Sequence, residues 1–366
     1  MNPVHYHEGA FPPDKQIDWS ELVPYVGPAS AAVARYDGML AGVQNPDILI
    51  SPLMLHEAYM SSRIEGTQAN MREALEFEAG REPDSPAKRD DIQEIINYRN
   101  AMRQAEEALK TLPLSLRIFK EAHHTLLSGA RGHGKSPGEF RRIQNFIGLD
   151  NNIENAKYIS ISAEKLTDAM GAWEKYIHAG IPDPLVHAAV LHAEFEALHP
   201  FLDGNGRLGR LFIPLFLWKR ELIRAPAFYI SAYLEAHRDD YYERLLAVSR
   251  DNDWTGWIRF FLQASKAQAE TDTTKVEAMI RLYNDMKHRV AKLTRSQFAI
   301  HTLDWIFKTP IFSSVNFTSN AGIPKYSAYR ILNHLRDANI VKLFVEARGS
   351  QAAVYVFPEL MNITEG

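Results

Sequence analysis

His199-Pro200-Phe201-Leu202-Asp203-Gly204-Asn205-Gly206-Arg207-Leu208-Gly209-Arg210 is the run on which the reading of this chain turns. It lies between two apolar helical patterns, 184–196 and 207–219, so it is a loop with a buried rim that leads into a helix. Gly204, Asn205 and Gly206 let the backbone approach a ligand closely and aim several N–H groups one way. The helix starting near Arg207 adds its positive end, and together these suit a phosphate. Arg207 and Arg210 are one helical turn apart, so both guanidinium groups face one side and can fork onto further phosphates. Asp203 sits just ahead of this nest, where a carboxylate beside a polyphosphate is a natural Mg²⁺ ligand. His199 precedes Asp203 by four positions and offers a neutral imidazole near pH 7 as general base. The constellation implies a nucleoside triphosphate with Mg²⁺, and a base that deprotonates an attacking hydroxyl.

Around this run the periodicity is mostly helical. The first fifty residues are Pro-rich and irregular, with a short helical pattern at 29–40. Helices are expected at 52–65, 90–109, 114–127, 163–179, 231–247 and 254–268, with a long polar connecting helix at 270–293. Residues 140–159 differ: two short extended pieces around Asn151-Asn152 read as a β-hairpin, the only strand signal in the first two-thirds. From Arg295 the order is helix (298–308), helix (313–321), helix (325–338), then strands 340–346 and 352–357 across an Arg348-Gly349-Ser350 turn. That is the order of a winged helix-turn-helix.

Composition narrows the class. A chain of 366 residues exceeds one ordinary core, so two or three domains are expected. With 46% hydrophobic and 23% charged residues the chain has a globular balance. There is no cysteine, which excludes disulfides, a thiolate nucleophile and cysteine-ligated metals. The first nineteen residues lack the basic start and apolar run of a signal peptide, and no apolar stretch is long enough to span a membrane. A cytoplasmic location is the default expectation.

A second phosphate motif competes. Gly129-Ala130-Arg131-Gly132-His133-Gly134-Lys135-Ser136 fits the Walker pattern, but it follows a helix rather than a buried strand, and Pro137-Gly138 comes next; it reads as a chance match. His192 and Glu196 are four apart, yet neither they nor His187 belong to a spaced metal-ligand set, so all three read as supports of the core. His5 and His7 read as flexible terminus. Ser61-Ser62-Arg63-Ile64-Glu65-Gly66 closes the helix 52–65. Glu65 there faces the negative end of the dipole, which a cationic partner would relieve, and Ser61 shares its face. By itself this is also what a surface Glu before a Gly cap looks like.

The run 199–210 resembles, at every fixed position, the signature of Fic-domain proteins, His-Pro-Phe-x-Asp/Glu-Gly-Asn-Gly-Arg-x-x-Arg. The resemblance implies a mainly α fold: a Fic helical core with a β-hairpin flap, joined here to the C-terminal winged helix-turn-helix. It implies transfer of AMP from ATP to a Tyr, Thr or Ser hydroxyl of a target protein. His199 resembles the catalytic base and Asp203 the Mg²⁺ ligand. Gly204, Asn205, Gly206, Arg207, Leu208, Gly209 and Arg210 resemble the ATP-binding run, with the two arginines on the outer phosphates. The hairpin 140–159 resembles the flap that holds a target by strand addition. Tyr233, Tyr241 and Tyr242 lie where the family places residues near the nucleoside, Tyr242 being the one assigned to ATP. Ser61 and Glu65 match Ser/Thr-x-x-x-Glu-Gly/Asn, the inhibitory helix in its class II, N-terminal position. That implies Glu65 pairs with Arg210 and keeps the latter from the γ-phosphate; a role for Glu65 in orienting a water for AMP removal stays open.

The organisation expected is an N-terminal helical region (1–113) with the inhibitory helix (52–65), a Fic core (114–268), a linker helix (269–294) and the winged helix-turn-helix (295–366). This last segment has seven basic residues against five acidic ones. Lys325, Tyr326, Ser327, Tyr329 and Arg330 open its recognition helix and Arg348 marks the wing tip, so DNA through 325–348 and a protein partner both stay open. A homodimer follows by family analogy. Rival functions are a nucleotide-sensing DNA-binding regulator, and a Fic enzyme that removes AMP or transfers UMP or phosphocholine.

Overall fold

The computed structural model describes residues 3–129, 134–148, 152–347 and 352–365. In chain order the elements are β1 (Val4–His5), α1 (Trp19–Ala41), α2 (Asp47–Ile64), α3 (Met71–Glu78), α4 (Pro86–Leu109), α5 (Leu116–Leu126), β2 (Phe146–Gly148) and β3 (Ala156–Ile159). There follow α6 (Ala163–Ile177), α7 (Pro184–Leu198), α8 (Asn205–Lys219), α9 (Ser231–Ala236), α10 (Arg238–Asp251) and α11 (Trp254–Thr294). The last are α12 (Ala299–Lys308), β4 (Ile311–Ser313), α13 (Ser314–Asn320), α14 (Lys325–Asp337), β5 (Lys342–Val345), β6 (Val354–Val356) and α15 (Pro358–Glu365). The chain is mainly helical, as expected. It divides into two compact units, and α1, α2, α4 and α11 contribute residues to both.

The first unit comprises Met1–Asp37, Met60–Thr67 and Asn97–Glu270. Its centre is the packed pair α7 and α8. An ordinary surface helix is apolar on one side only, whereas α7 is buried on nearly every side, including Val186, Ala189, Val190 and Phe195. The rings of Phe119, Trp173, Phe195 and Phe212 form one cluster with centroids 4.8–5.5 Å apart. The Trp173 indole N–H donates to the Leu191 carbonyl at 2.9 Å, so its polar edge is satisfied in the core. A small sheet of order β1-β3-β2 lies in the same unit.

Several elements differ from the sequence reading. α1 starts ten residues before the expected pattern and holds Pro24 and Pro28 inside it. A proline inside a helix removes a hydrogen bond, and burial of Leu22, Ala29, Val33 and Tyr36 outweighs that loss. α2 begins at Asp47, five residues ahead of the Pro52 taken as its start. The segments 254–268 and 270–293 are one 41-residue helix, α11, because no breaker falls between them. The pattern 231–247 is two helices, meeting at His237 where ψ is 39°. The hairpin is present as β2 and β3, but it gains a third strand. β1 pairs parallel with β3, Val4 opposite Tyr158. His7, read as flexible terminus, is buried and bonds Glu194 (2.8 Å) and Ser249 (2.8 Å). A two-residue strand has no periodicity, so only its partner defines it. Asn151, part of the Walker-like run (130–133) and the turn 348–350 lie outside the described residues.

The second unit comprises Gly38–Tyr59, Gln68–Ile96 and Thr271–Gly366. Its helix α3, which periodicity missed, is announced by a capping box: Asn70 Oδ1 accepts from the Glu73 N–H (2.9 Å) and Glu73 Oε2 from the Asn70 N–H (3.0 Å). From α12 onward the connectivity is helix, strand, helix, helix, strand, strand, the order a winged helix-turn-helix has. β4, not expected, joins β5 and β6 in an antiparallel sheet of order β4-β6-β5, with Phe312 opposite Tyr355 and Leu343 opposite Tyr355. α15, also unexpected, follows the sheet and buries Leu360 and Met361.

Trp173→Ala would remove the largest member of the aromatic cluster in the first unit. A loss of about 3–5 kcal/mol is expected, read as a lower urea midpoint for the unfolding of that unit.

Candidate active site

Two well-anchored helices frame the loop 199–204. α7 starts on an Asp183 cap, whose carboxylate accepts from the N–H groups of Leu185 and Val186 at 2.9 Å, with Pro184 in the first turn. It ends at His199, which adopts φ 47°, ψ 60°, a left-handed conformation uncommon outside glycine. α8 begins two residues earlier than expected, at Asn205, behind Gly204 with φ 75°. The cradle read as a pre-helical nest is therefore the first turn of α8. Its leading N–H groups have no acceptor within the helix.

The loop's carbonyls are tied down almost one by one. The Arg141 guanidinium, 3% exposed, donates to the carbonyls of Leu198 (3.2 Å) and His199 (2.9 Å), and the Arg141 N–H to that of Pro200 (2.9 Å). The Asn205 side chain closes a ring on Phe201, accepting its N–H and donating to its carbonyl, both at 2.9 Å. Asn145 Nδ2 donates to the same carbonyl at 3.1 Å. His123 Nε2 donates to the Asp203 carbonyl (2.9 Å) while its Nδ1 accepts the Gly138 N–H (2.8 Å), and its ring stacks on Phe201 at 3.7 Å. Burial holds His123 down to about 4, so it stays neutral in this role. Arg141, Asn145 and His123 were not among the expected site residues. Arg141 and Asn145 lie in the expected hairpin 140–159 and His123 in the expected helix 114–127, and none has a spacing to the loop that would reveal its role.

With the loop held, Nε2 of His199 meets no partner among the described residues. Nδ1 lies 3.3 Å from the Glu196 carbonyl, which can only accept, so Nδ1 carries the proton and Nε2 keeps its lone pair. Burial lowers the imidazole below its ordinary range, against a raising effect of that hydrogen bond and of Glu65. Asp203 accepts the Gly204 N–H through Oδ1 (2.6 Å), and Arg207 Nη2 lies 3.3 Å from the same oxygen. Its side chain remains 39% exposed. No group of three metal-ligating side chains occurs among the described residues. A single open carboxylate fits Mg²⁺ only as an ion shared with phosphates and water, the usual mode for this cation.

The two arginines diverge. Arg207 turns toward Asp203, whereas Arg210 reaches the end of α2. Its Nε donates to Ser61 Oγ (2.9 Å), and its Nη2 to the Ser61 carbonyl (2.8 Å) and to Glu65 Oε1 (2.7 Å). The last turn of α2 is tightened: the Glu65 N–H bonds Ser62 instead of Ser61, and Thr67 bonds Ser62 as well. The Ser61 carbonyl is thereby released to Arg210, which caps the negative end of the helix. Burial disfavours both charges, yet the pairing prevails, keeping the Glu65 carboxyl below and the Arg210 guanidinium above their ordinary ranges. A Cβ at Gly206 would stand 2.2 Å from Glu65 Oε1, so the Glu65 carboxylate would have to shift.

These groups surround a cavity of about 580 Å³. His199, Asp203, Gly204, Asn205, Gly206 and Arg210 line it, as do Glu65 and Tyr242. Ser61, Arg207, Leu208 and Gly209 do not: Leu208 is core, and Gly209 faces Glu196 and His192. Tyr241 and Tyr242 reach the cavity beside Leu245 and Leu246, while Tyr233 stacks on His237 at 4.0 Å. The strands of the hairpin border it through Phe146, Ile147 and Tyr158. His192 bonds the Tyr241 hydroxyl (2.9 Å), and burial lowers it to about 3. Glu196 is pushed up to about 8 by burial, against the pull of Arg210. His187 bonds the Tyr176 carbonyl and Arg220.

Comparison with known proteins places this geometry. The profile "Fic/DOC family N-terminal" matches residues 23–107 and the profile "Fic/DOC family" residues 113–217, together a little over half of the chain. Proteins named "Protein adenylyltransferase Fic" are similar: that of Drosophila virilis is 26% identical over 217 residues, 57% of this chain and 40% of the relative. That of Culex quinquefasciatus is 28% identical over 185 residues, 48% of this chain and 33% of the relative. The chain thus spans well under half the length of these curated relatives. Among solved structures, a Fic family protein from Desulfovibrio desulfuricans G20 is similar with a TM-score of 0.60 at 20% identity, covering 92% of this chain and 95% of the other. A Fic domain containing signaling protein from Bacteroides thetaiotaomicron has a TM-score of 0.55 at 17% identity, over 68% of this chain and 97% of the other. With both profiles matched in order and the signature loop built around the cavity, this chain belongs to the Fic/DOC family.

Proposed function

We propose that the protein transfers AMP from ATP to a Tyr, Thr or Ser hydroxyl of a target protein, and that Glu65 restrains the reaction. The observation that carries this reading is the imidazole of His199, with its Nε2 lone pair free, beside the open N-terminal turn of α8 in one cavity. ATP would lay its phosphates on the N–H groups of that turn. Mg²⁺, held by Asp203 and the phosphates, would offset charge on the triphosphate. His199 takes the proton as the target oxygen bonds the α-phosphorus and the bond to pyrophosphate breaks. Arg210 steadies the leaving group once Glu65 has moved. Tyr242, with Leu245 and Leu246, supplies the wall for the nucleoside. The target would pair with the flap. Since β3 already has β1 and β2 on its two sides, the outer edge of β2 is the one open to it.

Labelling with ATP radioactive at the α-phosphate tests this. His199→Ala is expected to lose roughly 10²–10⁴-fold in transfer. Glu65→Gly is expected to gain roughly tenfold or more, because it frees Arg210 for the phosphates. Equal labelling by all three proteins, or label retained from the γ-phosphate only, would overturn the proposal. The pH profile carries its own sign. The base must be neutral and its pKa is depressed, so the rate rises with pH and its acid limb lies below the ordinary imidazole value of about 6.5. A limb above that value in the Glu65→Gly protein would remove His199 from the role.

A further inference from the structure

The face of α14 left bare by the second unit is a surface the transfer reaction does not use. α14 buries Ala328, Ile331, Leu332 and Leu335 against its own unit. Lys325, Tyr326, Tyr329, Arg330 and Asn333 stay exposed at spacings that make one stripe along the helix. Tyr326 is 83% exposed and Tyr329 43%, unusual for aromatic rings that have a core beside them. The turn before the helix, through Gly322 at φ 66° and Pro324, sets its first residues outward next to α13. Exposed tyrosines alone would suit a protein partner equally well. Charge decides between the two. Between Asp304 and Asp337 the chain has no acidic residue, while it carries Lys308, Lys325, Arg330 and Arg336. Lys308 meets Asp47 (3.5 Å) and Arg336 meets Asp337 (2.9 Å), which leaves Lys325 and Arg330 at the two ends of the tyrosine pair.

We propose that this face binds double-stranded DNA, with α14 in the major groove. A helix of 13 residues is about 20 Å long and fits that groove. Lys325 and Arg330 would meet phosphates. Tyr326 and Tyr329 would lie against sugars or thymine methyl groups, and Asn333 has the paired donor and acceptor that suit an adenine edge. Lys342, exposed on β5, adds a further cation from the wing. The proposal stands apart from AMP transfer, since none of these residues lines the cavity of the first unit.

The test is fluorescence anisotropy of the full chain with a labelled mixed-sequence duplex of ~25 base pairs, between about 50 and 200 mM KCl. Micromolar binding at the low end is expected, weakening roughly 10- to 100-fold across that range. The double variant Lys325→Gln, Arg330→Gln is expected to bind roughly tenfold or more weakly, with a salt slope shallower by about 2. Tyr326→Ala, at an exposed site, should bind more weakly too while melting like the parent by circular dichroism. Absence of salt-dependent binding, or equal binding by parent and double variant, overturns the proposal. So does a parent dimer in sedimentation that Tyr326→Ala dissolves without any duplex binding, since the face would then be a contact between copies of this chain.

Discussion

A buried guanidinium whose partners among the described residues are main-chain carbonyls holds the centre of this protein. Arg141 spends its donors on main-chain carbonyls at the end of α7, where the helix dipole gathers negative charge. Those bonds, with the Asn205 ring on Phe201 and the His123 bridge to Asp203, leave the loop 199–204 little freedom. His199 can therefore persist at positive φ, a conformation that costs energy wherever the surroundings do not impose it. The orientation of the imidazole, and with it the free Nε2, follows from that constraint. The main chain of the loop faces inward to its partners, and the first turn of α8 is left facing the cavity.

A second charge relation sits on the other side of the same turn. Arg210 completes the C-terminus of α2 through Ser61 and also pairs with Glu65, so one side chain ends one helix while rooted in another. A buried arginine cannot be left unpaired without a large penalty. Without Glu65, Arg210 would keep, among the described residues, only the two Ser61 oxygens, neither of which carries a charge. Gly206 leaves the Glu65 carboxylate its present place, which a Cβ there would press on. The tightened last turn of α2 is part of the same device, since it is what frees the Ser61 carbonyl.

Legibility in the sequence followed distance along the chain. The helices around 184–219 were readable because each is a long, nearly unbroken apolar run, and both are buried almost all round. Where the reading failed, a local rule met a tertiary one. Pro24, Pro28 and Pro52 signal breaks or starts, yet α1 and α2 run through them because their apolar residues are buried. α3 carried a capping box at Asn70 and Glu73 that periodicity alone passes over. β1 and β4 are two and three residues long and exist only through the strands they pair with.

That His199, Asp203, Gly204, Asn205, Gly206 and Arg210 line one cavity was determined by the sequence itself, because a loop and a single helical turn bring contiguous residues together without help from the rest of the chain. Tertiary structure alone decided how they are divided: Arg207 turns to Asp203 and Arg210 to α2, although their spacing puts both on one face. It alone recruited Arg141 and His123, which lie 58 and 80 residues from the loop groups they hold. The reason is physical. A carbonyl that needs a donor accepts one from any part of the chain, and only the packed fold settles which residue arrives.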